Sequence, residues 1–258
     1  MKARLTATTA TTFATILLLA PCLIRAQGGG WVHFYVGTGA ADWSKYQSAL
    51  RTSLGSDLSL GGPGVHFGGR LMAGVGGRAL IGGNGFGGIF ASGENANGSA
   101  EVRSAMGFFN VGAVAVARNR FLLVPYLGVG GGNNSVRIRN QNPAFPVYFD
   151  QNTAVGYERV RRYKNRGFAL EAGVHFQFFI VSDDDEDERE VEGLALGLEA
   201  GGLFRVPGRW RDADDNFIRG PERLGFQGLY VRLTVGGGSY ELKRRKKSSD
   251  STEPPVEN

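Results

Sequence analysis

The sequence predicts an all-β fold in which eight antiparallel strands close into a transmembrane β-barrel, preceded by an N-terminal signal peptide. Three observations predict this fold: apolar and polar residues alternate in successive segments, glycine is abundant, and the connections between segments alternate in length. The chain has 41 glycines among its 258 residues. Glycine suits the inside of a narrow barrel, where large side chains and neighbouring backbones compete for little space.

The alternation of apolar and polar residues is clearest between residues 167 and 180. Even-numbered positions from Phe168 to Ile180 are all apolar, whereas odd-numbered positions are small or polar apart from Phe179. Successive side chains of a strand point to opposite faces, so this strand has one apolar face and one polar face. The segments around 194–204 and 228–235 repeat the pattern.

Eight segments are predicted to be strands, and each supplies the roughly 9–11 residues that a tilted transmembrane strand needs. The two segments at 78–91 and 101–117 are strand-like, but their sequences leave open which face is which. The eight predicted strands cover residues 30–38, 63–74, 78–91, 101–117, 120–138, 166–181, 191–206 and 224–240.

The connections between the predicted strands alternate between long and short through the first five. Outer-membrane barrels have long outer loops and short periplasmic turns, so this alternation favours such a barrel. The sixth connection is acidic and longer than the rule predicts. In chain order the connections are 39–62, 75–77, 92–100, a tight turn near Asn119, 139–165, 182–190 and 207–223.

The first 26 residues are predicted to be an export signal. Lys2 and Arg4 precede an apolar stretch that is clearest at 13–19, and Ala26 is the expected cleavage position. The apolar stretch is short for a spanning helix, but an uncleaved anchor stays open as an alternative. Cys22 is the only cysteine of the chain, so no disulfide is expected in the mature protein. A lipoprotein attached through Cys22 is a further alternative.

The chain is divided on this basis into a signal peptide at 1–26, an outer-membrane barrel at 27–242 and a flexible basic and polar periplasmic tail at 243–258. The whole chain has 29 basic and 24 acidic residues, but three of the basic ones lie in the predicted signal. The mature chain is therefore nearly neutral, and with no recognisable motif it is not expected to bind nucleic acid.

Ionisable side chains recur on the face opposite the apolar one. A soluble barrel would bury its apolar face and expose these groups, whereas a membrane barrel does the reverse. Because isolated buried charges are costly, Arg70 and Arg232 are expected to pair with Glu171 or Glu199. The predicted lumen network, which contains all three histidines of the chain, is His33, His66, Arg70, Glu171, His175, Gln177, Glu199 and Arg232.

A second predicted site is a basic cluster at the end of the fifth connection. If this connection is an outer loop, the cluster suits the phosphates of lipopolysaccharide, although an ordinary solvated loop is the alternative. Its members are Arg159, Arg161, Arg162, Lys164 and Arg166.

No catalytic residue, metal site or cofactor is predicted. The acidic segment 212–216 resembles part of a calcium loop, but Phe217 stands where such a loop needs glycine and Arg223 where it needs glutamate. No serine lies in a recognisable nucleophile motif.

The final strand reads Gly-Leu-Tyr-Val-Arg-Leu-Thr-Val at 228–235. Together with the signal, the eight alternating strands and the loop lengths, it resembles the small outer-membrane barrels of the OmpA-transmembrane-domain and OmpX type over residues 28–242. The resemblance implies insertion by the barrel-assembly machinery, a monomer, and contact with outer-membrane lipid and lipopolysaccharide. The sequence departs from that family after Tyr240, where a basic run at 243–247 and a polar tail replace the usual terminal aromatic residue.

The function expected from the sequence is a structural or surface-interaction role, with the lumen plugged by the polar network. A narrow pore or carrier for a small or hydrophobic solute is the alternative, and a lipid-modifying barrel enzyme is a third possibility.

Overall fold

Eight long strands, labelled here β1–β8, dominate the computed structural model. The structure describes residues 29–41, 47, 50–51, 57–61, 64–76, 78–118, 120–141, 148–150, 153–154, 160–180, 190–206, 208–218 and 228–241. The strands are β1 Gly30–Ala41, β2 Gly64–Gly76, β3 Ala79–Asn95, β4 Gly98–Ala113, β5 Phe121–Asn140, β6 Val160–Phe179, β7 Glu190–Val206 and β8 Gly228–Glu241.

The eight strands form a closed antiparallel barrel. Each strand pairs with the next one along the chain. The ring closes where β1 pairs with β8, with Val36 opposite Leu233. Closure gives both sides of every long strand a hydrogen-bonded neighbour, which removes the exposed sheet edges that hydrophobic strands would otherwise present. The predicted eight-stranded antiparallel barrel is therefore confirmed.

The third connection differs from its prediction. Instead of a polar segment at 92–100, β3 and β4 continue to a two-residue turn at 96–97. The side-chain oxygen of Asn95 accepts hydrogen bonds from the backbone N–H groups of Asn97 and Gly98, both at 3.0 Å, and these bonds hold the turn. Polar composition therefore did not mark a loop here, because outward polar side chains are tolerated where the strands rise beyond the membrane.

Short strands lie beside the barrel ends. Val116–Arg118 pairs with the start of β5, with Arg118 opposite Phe121, so only two residues separate the paired ends and the tight turn predicted near Asn119 is confirmed. Tyr148–Asp150 pairs with Thr153–Ala154. Trp210–Arg211 pairs with Phe217–Ile218 and with β6. The predicted signal peptide at 1–26 and tail at 243–258 lie outside the described residues.

The outer surface of the barrel carries an apolar belt. On β6 the outward side chains are apolar from Phe168 to the end of the strand and on to Ile180, and many are about half exposed. At about 3.4 Å per residue and a strand tilt near 40°, this stretch spans roughly 30 Å, which matches the hydrocarbon core of a bilayer. Above the belt the outward residues of β6 become Arg166, Lys164 and Arg162. No helix within the described ranges is long and apolar enough to cross a membrane.

The interior of the barrel is layered. At the end that holds the termini, an apolar cluster includes Trp31, Leu122 and Phe179. At the opposite end, a larger apolar cluster includes Phe86 and Phe108 together with three leucines of the first connection. These are Leu50, Leu58 and Leu60, all buried. Ionisable side chains occupy the layer between the two clusters.

Candidate functional site

Four charged side chains from four strands meet in the middle of the lumen. Arg70 comes from β2, Glu171 from β6, Glu199 from β7 and Arg232 from β8. The strand register contributes directly, because Glu199 lies opposite Arg232 where β7 pairs with β8. Glu171 lies on β6, which pairs with β7, whereas Arg70 lies on β2 and is joined to β8 only through β1, so barrel closure between β1 and β8 brings Arg70 to the other three. We call these four residues the ionic cluster.

Both arginines of the ionic cluster contact both glutamates. Arg232 Nη1 lies 2.6 Å from Glu199 Oε1 and 2.9 Å from Glu171 Oε1. Arg70 Nη1 lies 2.7 Å from Glu199 Oε2, and its Nη2 lies 3.7 Å from Glu171 Oε2. The four side chains are at most 2% exposed. Two positive and two negative charges thus balance in a site that excludes water, which offsets part of the cost of burying them.

Uncharged donors add hydrogen bonds to the same carboxylate oxygens of the two glutamates. The Tyr126 hydroxyl donates to Glu199 Oε1 at 2.7 Å, and the Tyr230 hydroxyl donates to Glu171 Oε1 at 2.8 Å. The side-chain amide of Asn84 donates to Glu171 Oε2 at 2.6 Å. The network is therefore wider than the eight residues predicted from the sequence, which omitted both tyrosines and Asn84.

The omitted residues left different signals in the sequence. Tyr126 and Tyr230 alternate with outward apolar residues and so fall on the predicted inner face, but an aromatic residue there is equally typical of apolar packing, so the sequence does not indicate their bonds to the glutamates. Asn84 and Asn110 lie in the two segments whose faces the sequence left open. Glycines on the outward side of β3, such as Gly83 and Gly85, remove the apolar stripe that would have identified the inner face.

Aromatic rings enclose both arginines. The Arg70 guanidinium carbon lies 3.8 Å from the centre of the Tyr126 ring. The Arg232 guanidinium carbon lies 3.9 Å from the ring of Tyr230, 4.6 Å from Tyr35 and 4.9 Å from Phe86. Cation–π attraction is strongest where water is excluded, so these rings add to the stabilisation supplied by the carboxylates.

The three histidines divide into two groups. His66 joins the ionic cluster, because its Nε2 accepts a hydrogen bond from Arg232 Nε at 3.0 Å. His33 and His175 pack edge to face with their ring centres 4.9 Å apart, and His175 Nε2 lies 3.1 Å from the Thr234 hydroxyl. Gln177 is buried nearby, and its amide has no partner among the described residues. All eight predicted lumen residues therefore lie inside, but only five join in one network.

Inward-facing glycines provide the space that the network occupies. A Cβ atom at Gly173 would lie 2.5 Å from the hydroxyl of Tyr126, and one at Gly201 would lie 2.5 Å from the hydroxyl of Tyr230. At Gly37 the added atom would lie 2.6 Å from Arg232 Cγ. The high glycine content of the strands thus has a specific cause at these positions.

We expect Gly173→Ala to lower the free energy of unfolding by about 1–3 kcal/mol, because the methyl group displaces the Tyr126 hydroxyl from Glu199. Gly107→Ala is the matched control, since it faces outward on β4 and its nearest neighbour would be Asn84 O at 3.9 Å. Urea unfolding in detergent micelles measures both. If both variants lost the same free energy of unfolding, the effect of glycine would come from its backbone conformation and not from the space it leaves in the lumen.

The predicted basic cluster is only partly described. Arg162, Lys164 and Arg166 are exposed on the outer surface of β6. Arg159 lies outside the described residues, and Arg161 is described in its backbone alone. Two arginines of β5, Arg137 and Arg139, stand beside this group and were not included in the sequence prediction. Pairing between β5 and β6 places them there, and the sequence alone does not specify that pairing.

The chemistry available to the lumen site is limited by its surroundings. Its carboxylates are held by arginine, tyrosine and asparagine, and apolar layers close both sides of the network. Within the described part of the chain, no group of three or more His, Cys, Asp or Glu side chains is placed to hold a metal ion. The arrangement is suited to linking opposite walls of the barrel.

A closed eight-stranded barrel with an apolar outer belt and ion-paired interior has the architecture of a membrane-spanning β-barrel. No family model and no curated protein matches the chain. Solved structures with a similar fold include a major outer membrane protein from Thermus thermophilus, at 12% identity and a TM-score of 0.42 over 83% of this chain and 99% of that one.

Two further solved structures are similar at lower scores. The translocator domain of the autotransporter NalP from Neisseria meningitidis has 11% identity and a TM-score of 0.29, over 91% of this chain and 96% of that chain. The outer membrane protease OmpT from Escherichia coli has 11% identity and a TM-score of 0.32, over 83% of this chain and 94% of that chain.

Proposed function

We propose that the protein is a bacterial outer-membrane barrel with a structural or surface-interaction role and a lumen that does not conduct. The observation that carries this proposal is the layered interior, in which the ionic cluster is shut between two apolar clusters. A pore needs a continuous polar lining that replaces water around the solute. Here both approaches to the charged layer are filled with apolar side chains.

The outer surface of the barrel and its connections support a location in the outer membrane. The apolar belt matches a hydrocarbon core, and a closed barrel satisfies its own backbone hydrogen bonds there. The three longest connections, 42–63, 141–159 and 207–227, leave the end of the barrel opposite the termini. With the termini in the periplasm, these connections become outer loops, which are the variable contact surfaces of such proteins.

The same enclosure supports our proposal of a non-catalytic role. The polar side chains most suited to acid or base chemistry, His175 and Glu199 among them, are buried inside the barrel. Lipid substrates would meet the outer belt, where the exposed side chains are chiefly apolar. We therefore favour a structural or interaction role over a lipid-modifying enzyme and over a carrier.

We expect the protein in the outer-membrane fraction of its cells, with a gel mobility that changes on heating as for other folded barrels. Purified from that fraction and added to planar bilayers, it should give no reproducible conductance steps, because apolar clusters pack on both sides of the ionic cluster. A large porin added to the same bilayer provides the positive control. Discrete, voltage-independent steps from the purified protein would exclude the sealed lumen and support the pore.

A further inference from the structure

Five cationic side chains form one surface on the outside of β5 and β6, which begins directly above the apolar belt and rises away from it along the strands. On β6, Arg166 is the first outward residue beyond the apolar Phe168. The whole set, called here the cationic wall, is Arg137, Arg139, Arg162, Lys164 and Arg166.

The register of the two strands concentrates the positive charge. Arg137 on β5 lies directly opposite Arg162 on β6. Side chains at such positions are about 5 Å apart, and like charges there destabilise a sheet. The register therefore places two like charges side by side on the outer surface of the barrel.

The described residues supply no carboxylate partner to the cationic wall. Glu101 on β4 lies opposite Arg137 in the register, but its carboxylate bonds to Arg103 on its own strand. The Nε of Arg137 is shielded from solvent and has no hydrogen-bond acceptor in the described part of the chain. The side chains of Arg139, Arg162, Lys164 and Arg166 are exposed and so are open to an external anion, and Arg137 adds its charge beside them.

We propose that the cationic wall binds the phosphates of lipid A, the membrane anchor of lipopolysaccharide. This inference rests on the proposed outer-membrane location, since the wall then rises from the head-group level of the outer leaflet. Arginine binds phosphate oxygens through two parallel N–H groups, which makes those bonds stronger than neutral ones. The wall provides four arginines and one lysine for this purpose.

The layout of the wall favours a lipid with more than one phosphate. Successive outward side chains on a strand are roughly 7 Å apart, and the two strands are about 5 Å apart. The cations therefore cover an area wider than a single phosphate, as a diphosphorylated disaccharide requires. Directly below, Phe168 and Leu170 give the acyl chains an apolar surface continuous with the cations. A free phosphate would gain nothing from that surface.

Native mass spectrometry of the full-length protein in detergent, titrated with diphosphoryl lipid A, tests this site. We expect the double variant Arg137→Gln/Arg162→Gln to weaken lipid A binding at least roughly tenfold, because it removes two charge-assisted contacts. The matched control is Arg78→Gln/Arg118→Gln, which removes two exposed cations at the other end of the barrel and should leave binding unchanged. Equal losses in both double variants would overturn the proposal.

Two competing ligands distinguish the source of the phosphate. Phosphatidylglycerol should bind wild-type protein more weakly than lipid A, and inorganic phosphate should not displace lipid A at equal concentration. If either binds as tightly as lipid A, the assignment to lipid A is wrong. These measurements use purified protein, so they fail independently of the fractionation that tests the membrane location.

A stability measurement separates binding from a purely structural role. In detergent without lipid A, Arg162→Gln should raise the urea midpoint, because it relieves repulsion from Arg137. With lipid A present, the same variant should gain less stability from the lipid than wild type does. A lower midpoint in both conditions would show that Arg162 supports the sheet itself and would contradict the proposal.

Discussion

Arg232→Met is expected to lower the free energy of unfolding by about 3–5 kcal/mol, because it leaves two buried glutamates short of their shared cation. Arg232 is fully buried and binds Glu171 and Glu199 through one nitrogen and His66 through another. Methionine fills a similar volume without a charge or a donor. Urea unfolding in detergent micelles, followed by the heat-modifiable gel shift, measures the loss.

Two further variants identify the cause of that loss. Arg232→Met/Glu199→Gln should be more stable than Arg232→Met alone, since it also removes the one uncompensated negative charge and leaves Arg70 with Glu171. Arg118→Met, at an exposed position near the end of the barrel that holds the termini, should change the free energy of unfolding by no more than about 0.5 kcal/mol. If the double variant is less stable than the single one, the loss comes from packing and not from uncompensated charge.

Leu127→Arg is expected to cost about 2–4 kcal/mol in lipid vesicles, because it places a charge near the middle of the hydrocarbon core. Leu127 lies on β5 with 62% of its surface exposed, and its cross-strand neighbours are Val111 and Ala172. In water such an exposed position would accept arginine at little cost. The urea midpoints of the wild-type and variant barrels, each refolded into lipid vesicles, measure this cost.

The same substitution beyond the belt provides the control. Ser92 is exposed on β3 near the turn at 96–97, above the height of the apolar belt. Ser92→Arg should therefore change stability by less than about 1 kcal/mol, as expected near the interface. Equal tolerance of arginine at both positions would mean that the outer surface does not face lipid, and the membrane assignment would fail.

The ionic cluster and the cationic wall place charge differently with respect to water. In the lumen, arginines and glutamates balance within one buried network that links β2, β6, β7 and β8. On the outside, the wall keeps a surplus of arginine at the edge of the belt. The first arrangement balances its charge within the barrel, whereas we propose that an anion from the membrane balances the second.

The sequence predicted those features that depend on the alternation of side chains along one strand. The apolar face of 167–180 was recognised because residues two apart share a side of any strand. The same rule placed Arg70, Glu171, Glu199 and Arg232 inside, and the cost of isolated charge predicted that they pair. Strand number followed from counting alternating segments, and closure followed from the need to pair every edge in lipid.

The tertiary structure alone decided which side chains meet across strands, because register and neighbour choice depend on contacts between segments far apart in the chain. It brought Tyr230 and Asn84 to Glu171, and it gave Asn84 an inner position that glycine-rich β3 did not reveal. It also set Arg137 opposite Arg162. It placed Leu50 and Leu58 in the apolar cluster at the end of the barrel opposite the termini. Alternation within a strand determines which face of the sheet a side chain lies on, whereas its contacts across strands depend on the closed barrel.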